Sequence, residues 1–191
     1  MRIIAGSLKG RRIPFNPGKY GGARTTPEMV KKAAFSILGE DLTGENFLDL
    51  FACSGQIGLE ALSRGARVVA NEPDKRRCRF IADLVARWEL DDHVRVTCQP
   101  AQKAIALLDS EGLQFDAVYL DPPYGGEVGG TAPAVGVLTA IGGAALVRGD
   151  GAVLVQHAAR IDLPPSALAL AFVKRRTYGD SALTLYRASG V

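Results

Sequence analysis

Three cysteines, two histidines and one tryptophan are all that this 191-residue chain holds of those residue types. Cys53, Cys78 and Cys98 are an odd number without paired spacing, so neither a disulfide framework nor a C-x-x-C metal knuckle is expected. His93 and His157 stand alone, too few for the ligand set of a zinc site, so no metal is expected. Long apolar runs are missing as well. The opening "MRIIAGSLKGRR" lacks the apolar stretch of a signal peptide. The segment "AVGVLTAIGGAALV", residues 134–147, is too short to span a bilayer, and its glycines and alanines fit a packed helix. The expectation is a soluble cytoplasmic protein with no membrane partner.

What is present suits one domain of ordinary size. Hydrophobic residues make up 47% of the chain, enough to bury a core without cross-links. The net charge of +3 conceals an asymmetry. Residues 1–32 carry eight basic side chains against Glu28 alone, a charge of +7, while the remaining 159 residues sum to −4. A basic arm on a mildly acidic body is the electrostatic footprint of a protein that meets a phosphate backbone. A merely solubilising tail would have the same composition.

Along the chain, "RIIA" and "RRIPF" flank a turn and predict a short N-terminal β-hairpin. "NPGKYGGART" reads as a flexible basic loop. "TTPEMVKKAAFSIL" reads as a helix capped by Thr26, with Pro27 in its first turn, an apolar face of Met29, Ala33, Ile37 and Leu38, and Gly39 as its stop. From Asn46 strands and helices alternate: strands at "NFLDLF", "RVVAN", "HVRVTC", "FDAVYL" and "GAVLVQH", and helices from about Gln56 to Arg64, over "PDKRRCRFIADLVARWEL" and "AQKAIALLD", and near Pro133 to Val147. "LALAFVKRRTY" and "SALTLYR", joined by "GD", close the chain as a hairpin. The expected fold is α/β: a doubly wound, mostly parallel, seven-stranded sheet with a C-terminal antiparallel hairpin and a short N-terminal hairpin arm. The expected organisation is a basic hairpin and helix at 1–40, followed by the main domain at 41–191.

In such sheets ligands bind beyond the carboxyl ends of the strands. Three stretches fall there: "DLFACSGQIG", "NEPD" and "DPPY". In the first, Gly55 and Gly58 permit close backbone approach, and the following helix N-terminus supplies N–H groups. Dinucleotide, flavin and S-adenosylmethionine sites share this layout. Cys53 stands where a further glycine is expected. Its small side chain is tolerable if the backbone there stays out of the positive-φ region, and it would narrow the space under a ligand. A nucleophilic thiol would need a base or helix end to lower its pKa, and no histidine is near in sequence. Glu72, after the second strand, offers two acceptor oxygens to the vicinal diol of a ribose. Asp74 is better suited to capping the next helix.

"LDPPY", residues 120–124, is the most telling stretch. Asp121 supplies one acceptor. Pro122 fixes the backbone and leaves its carbonyl as a second. Tyr124 offers an aromatic face to a planar base. Two acceptors drawing on the protons of an aryl –NH2 push it towards tetrahedral geometry and restore its lone pair. A sulfonium methyl nearby then needs only in-line placement. Nicotinamide chemistry has no use for this tetrad.

With these residues in view, the chain resembles the bacterial small-subunit ribosomal RNA guanine-N2 methyltransferases, within the class I S-adenosylmethionine-dependent fold. The resemblance runs through "MRIIAGSLKGRRI", "RTTPEMVKKAAFSIL", "LDLFACSGQIGLEALSRGA", "NEPD", "LDPPY" and "YGDSALTLY". It implies methyl transfer to the N2 of a guanine in small-subunit rRNA, met as naked RNA or in an assembling particle. By matching position, Asp121 and Pro122 would hold the amine and Tyr124 would stack on a flipped guanine. Asp49, Phe51, Cys53, Gly55, Glu72, Gln99 and Ala101 would line the S-adenosylmethionine site, with Asp49 near its methionine end. Arg11, Arg12, Lys19 and Arg24 would grip RNA. The chain departs from the family at Cys53, usually glycine, and at "CQPAQ", where many relatives place an acid for adenine. DNA adenine-N6 and protein glutamine-N5 methyltransferases use the same kind of tetrad, and an RNA-binding assembly factor could keep the fold without turnover.

Overall fold

The computed structural model describes residues 1–23, 25–123 and 132–189. Its chain packs into two compact units, Met1–Pro100 and Ala101–Val191.

The first unit is built on three parallel strands, β1 (Asn46–Asp49), β2 (Arg67–Asn71) and β3 (Val94–Thr97), in the order β3-β2-β1. The apolar runs predicted as strands are strands, because each buries side chains such as Phe47, Leu48, Val68 and Val94. Each fully buried side chain of this kind is worth roughly 1.5–3 kcal/mol. Helix α2 (Gln56–Ser63) packs on β1 and β2, and α3 (Lys75–Arg87) on β3. As expected, Asp74 caps α3, its Oδ1 accepting from the amides of Arg76 and Arg77.

Helix α1 (Glu28–Leu38) starts one residue later than the sequence suggests. Pro27 rather than Thr26 is the N-cap, with no side-chain cap of its own, and the Thr26 carbonyl accepts from Gln56 Nε2. Gly39 ends the helix as expected, its N–H returning to Phe35 O. The buried face is Val30, Lys31, Ala34 and Phe35, not the predicted Met29 stripe, and Met29 is exposed. A lysine at the centre of the buried face masks the true period. The N-terminal hairpin exists in minimal form: one antiparallel bridge, Arg2 with Arg12, supported by Ile3 N–H to Arg11 O and Ile13 N–H to Met1 O. Part of the predicted loop is ordered as a 3-10 turn, Pro17–Tyr20, capped by Asn16 Oδ1 accepting from Gly18 N.

The second unit holds α4 (Ala101–Ser110), β4 (Phe115–Leu120), α5 (Pro133–Gly143), β5 (Val147–Ala158), β6 (Ser166–Ala167), β7 (Leu170–Tyr178) and β8 (Ser181–Ala188). Strand order is β4-β5-β8-β7-β6; β4 and β5 are parallel, and the rest pair antiparallel. The closing hairpin turns at Gly179 (φ 58) and Asp180, as the sequence indicates. Helix α5 stops at Gly143 rather than near Val147, because Val147 already pairs with Phe115 in the sheet. The fold is α/β with a mixed sheet of eight strands, not seven. The additional strand is the two-residue β6, too short to carry a periodic signal.

Candidate functional site

Asp49, at the end of β1, is 1% exposed, and its Oδ2 accepts from the amide of Gly58 at 2.9 Å. A carboxylate thereby satisfies an otherwise unpaired donor in the first turn of α2. A Cβ on Gly58 would lie 3.1 Å from Val68 Cγ1 and 3.4 Å from Asp49 Oδ2, so its missing side chain lets α2 sit close to β2. Gly55 is the N-cap of α2 in the left-handed region (φ 75). Phe51, between these residues, is half-buried.

Cys53 corrects one sequence-based expectation. Its backbone is left-handed, φ 51, the region its tolerance was expected to require it to avoid. The surrounding hydrogen bonds impose the turn: Ala52 N–H to Asn71 O at 2.9 Å, Cys53 N–H to Glu72 Oε2 at 2.8 Å, and Gly55 N–H to Ala52 O at 2.7 Å. An L-residue in that region costs roughly 1–2 kcal/mol.

Glu72 is 2% exposed and joins the loop to α3. Its Oε1 accepts from Asp74 N at 2.9 Å and from Arg77 Nε and Nη2 at 3.0 and 2.8 Å. Its Oε2 accepts from Cys53 N. Each carboxylate oxygen offers about two acceptor positions, so Oε1 is fully taken and one position remains, on Oε2, for a single hydroxyl rather than the vicinal pair expected. Beside it, Asn71 was not anticipated. Fully buried, it donates Nδ2 to Leu50 O and Gln99 O, and accepts at Oδ1 from Thr97 Oγ1 and Gln99 N. One amide side chain thus ties together the segments after β1 and β3. Gln99 is held by its backbone, and its side chain is exposed.

In the second unit, Asp121 and Pro122 directly follow the carboxyl end of β4; Asp121 is half-buried and Pro122 buried. Ala101 is buried at the start of α4. Tyr124 and Arg24 lie outside the described residues. Among the described residues no group of His, Cys, Asp and Glu could hold a metal ion, and no helix is long and apolar enough to cross a membrane.

The basic N-terminal residues are anchored rather than loose. Glu60, on α2 and fully buried, accepts from the amides of Ile4 (2.8 Å) and Ala5 (3.0 Å) and pairs with Lys31 and Arg64. Ser63 binds the next residues: Leu8 N–H donates to its Oγ, and Ser7 N–H to its carbonyl. A Cβ on Gly6 (φ 77) would lie 1.6 Å from Ser63 O. Glu60 and Ser63 belong to "GLEALSRGA", which sequence alone marks as distinctive without saying why. Lys9, Arg11, Arg12 and Lys19 remain exposed, with the Arg11 guanidinium 4.5 Å over the Trp88 ring.

"Putative rRNA methyltransferase YlbH" of Bacillus subtilis is 30% identical over 191 residues, covering all of both chains. "Ribosomal RNA small subunit methyltransferase D" of Escherichia coli is 31% identical over 127 residues, 65% of this chain and 60% of that one. Among solved structures, "Putative methyltransferase yhhF" from Escherichia coli superposes with a TM-score of 0.82 at 24% identity, over 100% of this chain and 99% of that one. An RNA methyltransferase from Salinibacter ruber, in complex with S-adenosyl-L-homocysteine, shares the fold with a TM-score of 0.64 at 14% identity, over 86% and 94% of the two chains. Over residues 1–187 the sequence matches the family described as "Conserved hypothetical protein 95", and the chain belongs to that family.

Proposed function

We propose that this chain methylates the exocyclic N2 of a guanine in small-subunit ribosomal RNA, with S-adenosylmethionine as donor. One observation carries the reading: each chemistry-bearing residue lies at, or within two residues beyond, the carboxyl end of a strand from the parallel set. Asp49 ends β1, Glu72 follows β2, Gln99 follows β3, and Asp121 and Pro122 follow β4. The names of the relatives from Bacillus subtilis and Escherichia coli support ribosomal RNA as the acceptor. The Salinibacter ruber structure supports the cofactor. An rRNA substrate would place the activity in the cytoplasm.

The residues of the first unit fit such a cofactor. A buried glutamate with acceptor capacity on Oε2 suits a ribose hydroxyl, and the left-handed turn at Cys53 and Gly55 keeps side-chain bulk low beside it. When bound, the cofactor supplies an electrophilic methyl on a sulfonium. Asp121 and the Pro122 carbonyl would accept hydrogen bonds from the two N–H groups of the guanine amine, which returns its lone pair for attack; as the N–CH3 bond forms the S–CH3 bond breaks, and one amine proton leaves by way of Asp121 to solvent. Tyr124 stacks on the extruded base. Residues 1–40 serve RNA binding, through Arg11, Arg12, Lys19 and Arg24, and residues 41–191 carry the transfer.

An acceptor panel tests the reading. With methyl-labelled S-adenosylmethionine, label is expected in small-subunit rRNA and absent from DNA and protein. Label confined to protein or DNA would end the rRNA assignment.

A further inference from the structure

A groove of about 260 Å³ opens in the first unit, lined by the Pro17–Tyr20 turn and one face of α3. Its aromatic wall is a three-ring cluster. Tyr20 stacks on Phe15 (centroids 4.7 Å, planes 10° apart), and Phe80 meets both edge-on at 5.2 and 5.6 Å. Phe15 is buried, whereas Tyr20 and Phe80 are half-buried and line the groove. Its charged wall is Arg76, Arg79 and Arg87, all exposed. Helical spacing sets Arg76, Phe80 and Arg87 along one stripe about 16 Å long, with Arg79 beside it.

These arginines are not spent on the fold. Among the described residues Arg79 and Arg87 have no ion pair or hydrogen bond, and Arg76 Nε reaches Asp74 only at 4.0 Å. Arg77 on the same helix is by contrast committed to Glu72. Unpaired guanidinium groups interleaved with half-open rings are the combination that binds single-stranded nucleic acid: rings stack on any base, and the cations meet its phosphates. The groove also carries one carboxylate, Asp83. An acid among the arginines is wrong for a bare phosphate site and right for a base whose exocyclic amine donates to it.

We propose that this groove is a second RNA-docking site. It seats one unpaired base against Tyr20 and Phe80, with Asp83 accepting from the base and the flanking phosphates on Arg76, Arg79 and Arg87. It rests on the rRNA reading above but is separate from the loop and tetrad assigned to methyl transfer. The turn that supplies Tyr20 and the hairpin that supplies Arg11 would then join α3 in one RNA-facing surface.

The test is fluorescence anisotropy of the full chain with a short fluorescent single-stranded RNA of mixed sequence, at several salt concentrations. Arg79→Glu with Arg87→Glu should weaken binding at least about tenfold and lower the slope of log affinity against log salt by about 1.4. Phe80→Leu, which keeps apolar bulk for the cluster, should weaken binding about tenfold with the slope unchanged. Lys103→Glu with Arg160→Glu, exposed cations of the second unit, serve as the charge-matched control. S-adenosylmethionine affinity by calorimetry should be the same in all. Groove variants that bind RNA as the control does would overturn the proposal, as would displacement of the RNA by an acidic peptide but not by unlabelled RNA. The outcomes separate the two readings. Unchanged RNA binding by the groove variants, beside a wild type that methylates guanine, removes the groove alone. Weakened binding, beside a wild type that methylates nothing in rRNA, removes the methylation reading alone.

Discussion

Lys31 and Glu60 form an ion pair sealed from water, Nζ to Oε2 3.1 Å, with side chains 2% and 0% exposed. The pair also clasps the start of the chain. Lys31 Nζ donates to Arg2 O at 2.6 Å, and the Glu60 carboxylate accepts from the amides of Ile4 and Ala5. Burial pushes the Lys31 pKa down, and the Glu60 charge opposes that shift.

The two partners are not equivalent. Glu60→Gln leaves Lys31 and Arg64 without a counter-charge and removes an acceptor from the clasp. Loss of about 3–5 kcal/mol is expected in urea denaturation. Lys31→Met should cost less, because Glu60 keeps Arg64 and two backbone amides. Equal losses from the two variants would contradict this division.

Cys53→Gly should leave stability unchanged or raise it by up to about 1 kcal/mol. Relief of the left-handed backbone, about 1–2 kcal/mol, exceeds the added chain entropy of glycine, about 0.5–1 kcal/mol. Cys53→Val, β-branched at φ 51, should be less stable than the wild type. A glycine variant that unfolds at lower denaturant than the wild type would refute the strain argument.

His157, 2% exposed, makes the stability of the second unit depend on pH. Its Nδ1 lies 3.0 Å from Ala158 O and its Nε2 2.8 Å from Thr184 Oγ1. A carbonyl only accepts, so Nδ1 carries the proton and Nε2 accepts from the threonine hydroxyl. Burial, with Arg175 adding in the same direction, pushes the His157 pKa below its ordinary value despite the Ala158 hydrogen bond. The folded state therefore binds this proton less readily than the unfolded chain. The contribution is full above about pH 6.5 and is lost as pH falls through the depressed folded value. Denaturation midpoints at neutral and mildly acidic pH should differ more in the wild type than in His157→Gln. An equal difference in both would remove His157 as the cause.

Asp121→Ala should lower turnover on RNA about 100- to 1000-fold, the scale expected when a transition-state acceptor is lost. S-adenosylmethionine affinity by calorimetry should stay nearly unchanged. A fully active variant would strip Asp121 of its role.

Strands β1, β2 and β4 were legible in the sequence because short apolar runs between turn signals have few alternative readings. The positions of Gly55, Glu72 and Asp121–Pro122 beyond strand ends were legible because a short apolar run followed by those residue types is a local pattern. The polar interior was not. Glu60, Ser63, Lys31 and Asn71 look like surface residues in sequence, and their burial rests on partners 21 to 58 residues away, with Arg64 adding a local one for Glu60. The α1 face was misread for the same reason: Lys31 lies within it, paired to a residue of another helix. Arg77 was likewise hidden, since only the fold brings it to Glu72 rather than to solvent.

The most direct test of the central claim is nucleoside mass spectrometry. Small-subunit rRNA from cells lacking the gene would be incubated with the purified chain and methyl-labelled S-adenosylmethionine, then digested to nucleosides. The account predicts label in N2-methylguanosine, abolished by Asp121→Ala. Label in any other nucleoside, or none in rRNA already lacking the modification, would contradict it.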